Sequence, residues 1–365
     1  MMSLEILGIG TAAPEYAIEQ SDAARMAQSI CGDGFDQQRL LPALYRRTGI
    51  RQRHSVLLTR STNGTPSLQS FYPAATDGDD EGPTTADRMK RYEHDAPLLA
   101  GEAATEALGE AGCNPRDITH LVTVSCSGFS APGFDIALIR ELGLPRTVAR
   151  THIGYMGCHG ALNGLRVARS FAEADPSARV LLCAVELCSL HQQYGWKKDQ
   201  IVANALFADG AAAIVGRAGP PAEPRPWCLT ASGSMLLPET EELMSWRVRD
   251  HGFEMTLSPR VPDVIRCELE PWLNGWLVEQ RLSIETVGSW AVHPGGRRIL
   301  DACADVIGLN STMLDPSREI FAEFGNMSSP TVLFILKSLR DRQAKRPCVM
   351  LGFGPGLTIE AALIR

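Results

Sequence analysis

The sequence predicts an α/β fold made of two related halves that pack around a shared core. Short apolar runs that end in glycine alternate with stretches of helical periodicity along the chain. Each half closes on a glycine-containing turn that feeds an apolar strand, "FADGAAAIVG" in the first and "GFGPGLTIEAALI" in the second. A Pro-rich joint over residues 217–227 lies between them. These observations predict a first half over residues 1–216 and a second over 217–365.

Strands and helices alternate through the first half. Residues 4–10 predict a buried strand, and helical patterns follow at the positions 21–31, 35–47, 96–111 and 133–142. Further strands are predicted through Val124, over 148–153 and over 178–190, where the apolar run is strongest. Residues 55–87 are rich in Thr, Ser, Gly, Pro and Asp, a composition that predicts an exposed, mobile, variable loop. The second half repeats the rhythm of strand, helix and strand.

Composition narrows the class of protein. The chain has 365 residues, of which 44% are hydrophobic and 21% charged, so it has enough apolar material for a large core. We expect no membrane span, because no apolar run approaches the roughly 18 residues that a span needs. The net charge of −7 and the lack of a basic, aromatic-rich cluster argue against a nucleic-acid partner. Since no signal peptide is visible, we expect a cytoplasmic enzyme.

Ten cysteines are spread along the chain without any C-x-x-C pair. Unclustered cysteines do not form a tetrahedral metal site, and a chain of this size needs no disulfides for stability. We therefore expect reduced thiols and no bound metal.

One cysteine, Cys158, stands between glycines at the start of a predicted apolar helix. A helix N-terminus carries unpaired N–H groups and a partial positive charge, both of which stabilise a thiolate. Gly157 and Gly160 leave room beside the sulfur for a substrate. The alternative is an ordinary small core cysteine, and this segment alone does not decide between the two.

A histidine and an asparagine complete a chemical set with this thiol. His293 ends an apolar strand before a Pro-Gly-Gly turn, and Asn326 lies in a Gly-Asn-Met-Ser-Ser-Pro turn before a helix. Taken singly, each fits an ordinary turn residue. Together, a thiol, an imidazole and an amide can form a thioester and stabilise an oxyanion.

Four motifs carry a family resemblance: "GYMGCHGALNGL", "WAVHPGG", "FGNMSSPTVLFIL" and "GFGPGLTIE". They resemble the type III polyketide synthases, the chalcone synthase-like family of the thiolase superfamily. The resemblance implies a thiolase-like fold in a layered αβαβα arrangement, a homodimer, and CoA thioesters as substrates without any other cofactor. It implies that Cys158 accepts an acyl group from an acyl-CoA starter. His293 and Asn326 would then hold the malonyl-CoA carbonyl and stabilise the enolate left by decarboxylation.

The resemblance also implies a substrate cavity. Phe207 matches a gating phenylalanine, and the second gate falls at Met255 or at Phe253 on the same strand face. The remaining positions implied to line the cavity are Cys126, Ser127, Ala131, Cys188, Trp246 and Ser328. Compared with plant chalcone synthases, Trp246 fills one corner while Ala131 opens another. This change favours a linear fatty acyl starter and a pyrone or resorcinol product.

Basic residues near the first helices are the implied CoA site. Arg47 matches the family position, and Arg46 and Arg39 lie close to it in the sequence. A solvated basic face would give the same pattern for the other two residues.

Three other hypotheses share parts of this evidence. Cys158, His293 and Asn326 follow the order of papain-like cysteine hydrolases, although the flanking "CGSCW" pattern is absent. A ketoacyl synthase III has the same three residue types but extends its substrate once. A non-catalytic thiolase-fold subunit typically loses the nucleophile, which this chain keeps.

Overall fold

The computed structural model describes residues 3–31, 35–59, 69–219, 227–310 and 312–365, in which strands and helices alternate. The thirteen strands of these residues are β1 (Ser3–Ala12), β2 (Ala17–Glu19), β3 (Gln52–His54), β4 (His120–Ser125), β5 (Ala149–Gly154), β6 (Arg179–Leu187), β7 (Asp209–Gly219), β8 (Cys228–Leu236), β9 (Met244–Arg249), β10 (Gly252–Leu257), β11 (Ser289–Val292), β12 (Cys348–Gly354) and β13 (Thr358–Ile364). The ten α-helices of these residues are α1 (Gln20–Cys31), α2 (Phe35–Arg47), α3 (Thr85–Ala111), α4 (Phe134–Leu142), α5 (Gly160–Ala174), α6 (Lys198–Leu206), α7 (Val261–Glu279), α8 (Arg297–Ile307), α9 (Asp315–Phe324) and α10 (Thr331–Asp341).

One mixed sheet runs through both halves, in the order β11-β12-β13-β8-β1-β7-β6-β4-β5. In the first half β1 pairs antiparallel with β7, β7 antiparallel with β6, and β6 parallel with β4. In the second half β8, β13, β12 and β11 repeat this order and these directions. The halves join where Leu4 of β1 pairs with Leu229 of β8. The prediction of two related α/β halves is confirmed.

Two apolar helices, α5 and α10, lie between the halves. Leu165 of α5 and Leu336 of α10 share one buried cluster with Leu182 of β6 and Met350 of β12. Alternate residues of the same strands face outward, where Leu181 joins the cluster that contains α3. Leu351, Val349 and Phe353 of β12 join the cluster that contains α7 and α8. This alternation gives the αβαβα layers of the thiolase-like fold.

The central helices begin next to each other. A Cβ added at Gly160, the first residue of α5, would lie 3.5 Å from the Cβ of Ser329, just before α10. The nucleophile turn Gly157–His159 and the Asn326 turn therefore meet at one place, the N-terminal ends of both helices. Within the described residues, no helix combines the length and apolar character that crossing a membrane requires.

The predicted exposed loop over residues 55–87 differs from the structure. Residues 60–68 lie outside the described residues, and α3 already begins at Thr85, where the Thr84 side chain accepts a hydrogen bond from the Asp87 N–H. Leu57, Leu58 and Tyr72 are buried. The Tyr72 hydroxyl donates a hydrogen bond of 2.9 Å to the Ser189 carbonyl, so this part of the loop belongs to the core.

Candidate active site

Cys158 lies in a 3-10 turn, Gly157–His159, immediately before α5. Gly157 has a φ of +69°, a conformation that glycine adopts without strain, and an added Cβ there would lie 2.4 Å from Pro355 Cδ. The Cys158 thiol is buried, and its Sγ lies 4.0 Å from Asn326 Oδ1. Burial raises the pKa of the thiol to about 12, against hydrogen bonds with Ser328 and Asn326 that lower it. Desolvation therefore opposes the stabilisation of a thiolate that we expected from the helix N-terminus.

His293 follows β11 and is fully buried. Its backbone N–H donates 2.8 Å to the Leu351 carbonyl of the neighbouring strand, which fixes the residue at the edge of the site. Neither ring nitrogen has a hydrogen-bond partner among the described residues. Burial and the nearby His159 lower the pKa of His293 to about 3. The imidazole is neutral, with one N–H free to donate.

Asn326 is held by its backbone between two segments. Its N–H donates to the Leu206 carbonyl, and its carbonyl accepts from the Ala208 N–H, both at 2.9 Å. The side-chain Oδ1 accepts a hydrogen bond of 2.8 Å from the Ser328 N–H. This contact orients the amide, and its buried Nδ2 has no partner within the described chain. Unpaired buried donors are rare in proteins, and Nδ2 together with the His293 ring fits a site for an oxyanion.

The Cys158 thiol lines a small cavity. Seven of the sequence-predicted residues line it: Cys126, Ser127, Cys188, Phe207, Trp246, Met255 and Ser328. Four further residues line it: Gly157, which was expected to leave room beside the sulfur, and Glu186, Met244 and Pro355, which were not predicted. The Trp246 indole N–H donates 2.8 Å to the Cys126 carbonyl, so the largest wall residue is fixed in place.

A second small cavity adjoins the first and shares Cys188, Phe207, Trp246 and Met255 with it. Phe253 lies here, two residues from Met255 on the same face of β10. The unpredicted His191 stacks on Phe253 with ring centroids 4.2 Å apart and meets Trp246 edge-on at 5.4 Å.

Ala131 lies outside both cavities. It is exposed and lines a separate surface concavity beside Phe134 and Leu98. The predicted place of Ala131 in a cavity wall is therefore not found within this single chain.

Comparison with known proteins decides the family. Residues 3–220 match the chalcone and stilbene synthase N-terminal domain, and residues 228–365 match the C-terminal domain of the same enzymes. The chain belongs to the chalcone and stilbene synthases. It is thus a type III polyketide synthase, an acyltransferase of the condensing kind, and these matches favour neither a cysteine hydrolase nor a ketoacyl synthase III.

Relatives of this polyketide synthase extend over nearly the whole chain. The alpha-pyrone synthesis polyketide synthase-like Pks18 of Mycobacterium tuberculosis is 30% identical, covering 98% of this chain and 90% of its own. The 1,3,6,8-tetrahydroxynaphthalene synthase of Streptomyces peucetius is 32% identical over 99% and 92%. The crystal structure of PKS-I from the brown alga Ectocarpus siliculosus superposes with a TM-score of 0.91, 30% identity, and coverage of 100% and 98%.

A buried carboxyl group supports the cavity wall of the polyketide synthase. Glu186 accepts hydrogen bonds from the Cys126 N–H at 2.9 Å, from the Ser127 hydroxyl at 2.7 Å and from the Ser329 hydroxyl at 3.0 Å. Burial raises the pKa of Glu186 to about 7, against these hydrogen bonds. The signal in the sequence was the single acidic residue within the apolar run 178–190.

The predicted CoA-binding arginines of the synthase lie on the surface. Arg39, Arg46 and Arg47 are exposed on α2, the last two in its final turn. A Cβ added at Gly49, just after this helix, would lie 3.9 Å from Cδ of Arg297. Arg297 begins α8 directly after the His293 turn, so it joins the predicted arginines at the same edge of the site. The sequence analysis did not single it out.

Proposed function

We propose that this type III polyketide synthase loads a fatty acyl group from an acyl-CoA onto Cys158 and extends it with malonyl-CoA. The product is a pyrone or resorcinol-type compound. The observation that carries the proposal is the pairing of a buried thiol with two unpartnered donors, His293 and Asn326 Nδ2, at the end of an apolar cavity.

Loading exchanges one thioester for another. The Cys158 sulfur attacks the starter carbonyl, the bond from that carbonyl to the CoA sulfur breaks, and the thiol proton leaves with CoA. The donors of His293 and Asn326 stabilise the oxyanion formed on the way. Because burial raises the pKa of the thiol, the thiol proton is proposed to move during attack rather than before it.

Extension uses the same donors for a second oxyanion. The bond between the carboxylate and the α-carbon of malonyl-CoA breaks, CO₂ leaves, and the electron pair becomes an enolate. The enolate carbon attacks the Cys158 thioester and expels the Cys158 sulfur, which regains a proton. No metal or organic redox cofactor is needed for these steps, so we propose CoA thioesters as the only carriers.

The walls of the cavity support an aliphatic starter. Six lining side chains next to Cys158 are apolar or weakly polar: Cys126, Cys188, Phe207, Met244, Trp246 and Met255. An acyl chain gains free energy by leaving water for such walls, about 0.8 kcal/mol for each CH₂ group. The name of Pks18 refers to alpha-pyrone synthesis, which agrees with the proposed product class.

The experiment that tests this function is product analysis by mass spectrometry. Purified protein receives malonyl-CoA with acyl-CoAs from acetyl to palmitoyl, with an aromatic acyl-CoA, or alone. We expect extended and cyclised products from the aliphatic series. The proposed starter would be overturned if products formed only with the aromatic acyl-CoA. It would also be overturned if products formed only when malonyl-CoA was the single substrate.

CoA is proposed to bind at the arginine edge formed by Arg47, Arg46, Arg39 and Arg297. These guanidinium groups suit the phosphates of CoA, since arginine donates in a fixed fork. Arg47→Ala and Arg297→Ala should raise KM for malonyl-CoA while kcat stays within about twofold, because they touch no reacting atom. A change confined to kcat would contradict this site.

A homodimer is also proposed. Strand β5 is at the end of the large sheet, and exposed apolar side chains lie near it in the chain and around the concavity of Ala131: Leu98, Phe129, Ile136, Tyr155 and Met156. A second copy of this chain would cover the strand edge and these side chains. Light scattering of the purified protein should give twice the chain mass, and Tyr155→Glu should reduce it. A monomeric wild type at micromolar concentration would contradict the dimer.

The cytoplasmic location remains a prediction.

A further inference from the structure

The residue after the nucleophile, His159, is itself a buried histidine with both ring nitrogens in hydrogen bonds. It is 3% exposed. Its Nδ1 lies 2.7 Å from Asn163 Oδ1 on α5, and its Nε2 lies 2.5 Å from Thr358 Oγ1 at the start of β13. By contrast, the ring nitrogens of His293 have no hydrogen-bond partner among the described residues. The two histidines therefore have different tasks.

The surrounding groups fix the direction of both hydrogen bonds. Asn163 Nδ2 donates 3.1 Å to Glu360 Oε1, which leaves Asn163 Oδ1 to accept from His159. His159 Nδ1 therefore carries the proton, and Nε2 accepts from the Thr358 hydroxyl. Burial lowers the pKa of His159, in agreement with a neutral ring.

This ring connects the nucleophile turn to the hairpin of β12 and β13. A Cβ added at Gly354 would lie 2.4 Å from His159 Cδ2, so the ring packs directly on the strand backbone. Pro355, in the same hairpin, contacts Gly157 on the other side of Cys158 and lines the cavity. The same Thr358 hydroxyl has the Pro355 carbonyl as a second acceptor at 3.2 Å, so its single hydrogen is shared between Pro355 and the nearer His159 Nε2. The turn that carries the sulfur is thus enclosed by the hairpin and the ring.

The hydrogen-bonded connection from His159 ends at the carboxylate of Glu360, which forms an ion pair with Arg166. Glu360 is buried, and it accepts hydrogen bonds from Arg166 at 2.5 Å and from Ser234 at 2.7 Å, besides the one from Asn163. Arg166 and Asn163 both belong to α5, and Ser234 to β8. The hydrogen-bond network from His159 therefore ends at Glu360, which α5 and β8 hold in place.

We propose that His159 is a positioning residue that fixes the Cys158 sulfur relative to the donors of His293 and Asn326, through its bonds to Asn163 and Thr358. The inference rests on the proposed function. It separates two half-reactions: acyl loading needs the sulfur in place, whereas decarboxylation of malonyl-CoA needs only the two donors.

The test compares these half-reactions in His159→Phe, His159→Gln and Thr358→Val. Acyl-Cys158 formation is followed by mass spectrometry of the intact protein, and decarboxylation by CO₂ release from malonyl-CoA. Phenylalanine keeps the ring volume without either hydrogen bond, and loading should fall about 10- to 100-fold, as expected for a misplaced reacting group. CO₂ release should stay within about twofold. Glutamine can both donate and accept, so it should restore most of the loading rate.

Two controls make the result decisive. His120→Phe changes a histidine that stacks on Phe171, far along the sheet, and should leave both rates unchanged. Thermal unfolding of each variant shows whether it is folded. Full loading by His159→Phe, or an equal loss of both half-reactions, would overturn the proposal.

A second readout does not depend on the proposed substrates. Iodoacetamide alkylates Cys158, and peptide mass spectrometry gives the rate at this one cysteine. The rate should change in His159→Phe and Thr358→Val but not in His120→Phe. If wild-type protein accepts no acyl group from CoA thioesters, the proposed function fails, and alkylation alone decides the role of His159.

Discussion

Cys158, His293 and Asn326 are all buried, yet burial acts differently on each. It raises the pKa of the thiol and lowers that of the imidazole, which disfavours a charge on either group, while the amide is oriented by one backbone hydrogen bond. In the proposed mechanism charge develops on an oxyanion, and fixed donors in a dry site stabilise it more strongly than water would.

Removing the sulfur should separate the two half-reactions. In Cys158→Ala, acyl loading and product formation should fall below detection. CO₂ release from malonyl-CoA should continue, because His293 and Asn326 are intact. Both are measured by mass spectrometry and by CO₂ trapping. Cys303→Ala, which changes a buried thiol on α8, is the matched control and should keep both activities. Unchanged product formation in Cys158→Ala would contradict the assigned nucleophile.

Trp246 should set the length of the starter. Its indole separates the cavity at Cys158 from the adjoining cavity that contains His191 and Phe253. Trp246→Ala joins the two, so longer acyl-CoAs should gain in kcat/KM relative to short ones by about tenfold or more, the usual value of one methylene in a pocket. Trp272→Ala, on the outer helix α7, is the control. An unchanged length profile would show that the wall lies elsewhere.

The sequence predicted the three candidate catalytic residues but only part of the residues that line the cavity. Cys158, His293 and Asn326 stand in turns whose glycines mark them. Glu186 and His191 were missed because each lies in a segment that otherwise predicts only core, and burial of a polar group depends on partners distant in the sequence. Ala131 was assigned to the cavity by family resemblance, and within this chain it lies instead on an exposed surface.

At the scale of elements, the site is formed by helix starts and a strand hairpin. Helices α5 and α10 begin side by side, and the hairpin of β12 and β13 closes over the nucleophile turn. At Gly157 and Gly354 neighbouring atoms lie so close to the backbone that a Cβ would clash with them, so both positions require glycine.

A single methyl group in this hairpin should disturb both stability and loading. In Gly354→Ala the new Cβ would lie 2.4 Å from His159 and 2.9 Å from the Met156 carbonyl. Overpacking of this kind costs about 1–3 kcal/mol, so the unfolding temperature should fall and acyl loading with it. Gly101→Ala on α3, where an added Cβ meets nothing within 4 Å, should leave both unchanged or raise stability. Equal behaviour of the two variants would contradict the close packing.

The helical and strand patterns predicted most elements of the first half. The strand predicted over 4–10 is β1, and the helices predicted over 21–31 and 35–47 are α1 and α2. The start of α3 was missed because polar residues fill its first turns and Pro97 lies inside it. Tyr72 was predicted to be exposed because composition describes a whole segment, whereas burial is decided residue by residue.

At the scale of the whole molecule, buried histidines and buried carboxyl groups have opposite effects on how stability depends on pH. The pKa values of His191 and His293 are lowered to about 3, so their contribution to stability is lost as the pH falls below about 6.5. The pKa of Glu186 is raised to about 7 and that of Asp209 to about 6, so stability decreases as the pH rises towards those values. Between about pH 5 and 6.5 the two effects oppose each other.

Stability should therefore change little between pH 7 and 5 and fall below about pH 4.5. Glu186→Gln removes one of the carboxyl groups that stabilise the protein on acidification. Between pH 7 and 5 the free energy of unfolding of the variant should therefore fall by about 1.4 kcal/mol more than that of wild type for each pH unit. Unfolding temperatures at four pH values measure the difference. Glu268→Gln, on the exposed face of α7, should follow wild type. Parallel profiles of wild type and Glu186→Gln would contradict the assigned pKa direction.

The repeated strand order has a consequence for synthesis on the ribosome. The first half brings the sulfur and much of the cavity wall, whereas both oxyanion donors, His293 and Asn326, arrive with the second half. In the proposed mechanism these donors hold the enolate, so the first half alone should not decarboxylate malonyl-CoA. Decarboxylation should begin only after the segments that carry His293 and Asn326 have folded against the first half.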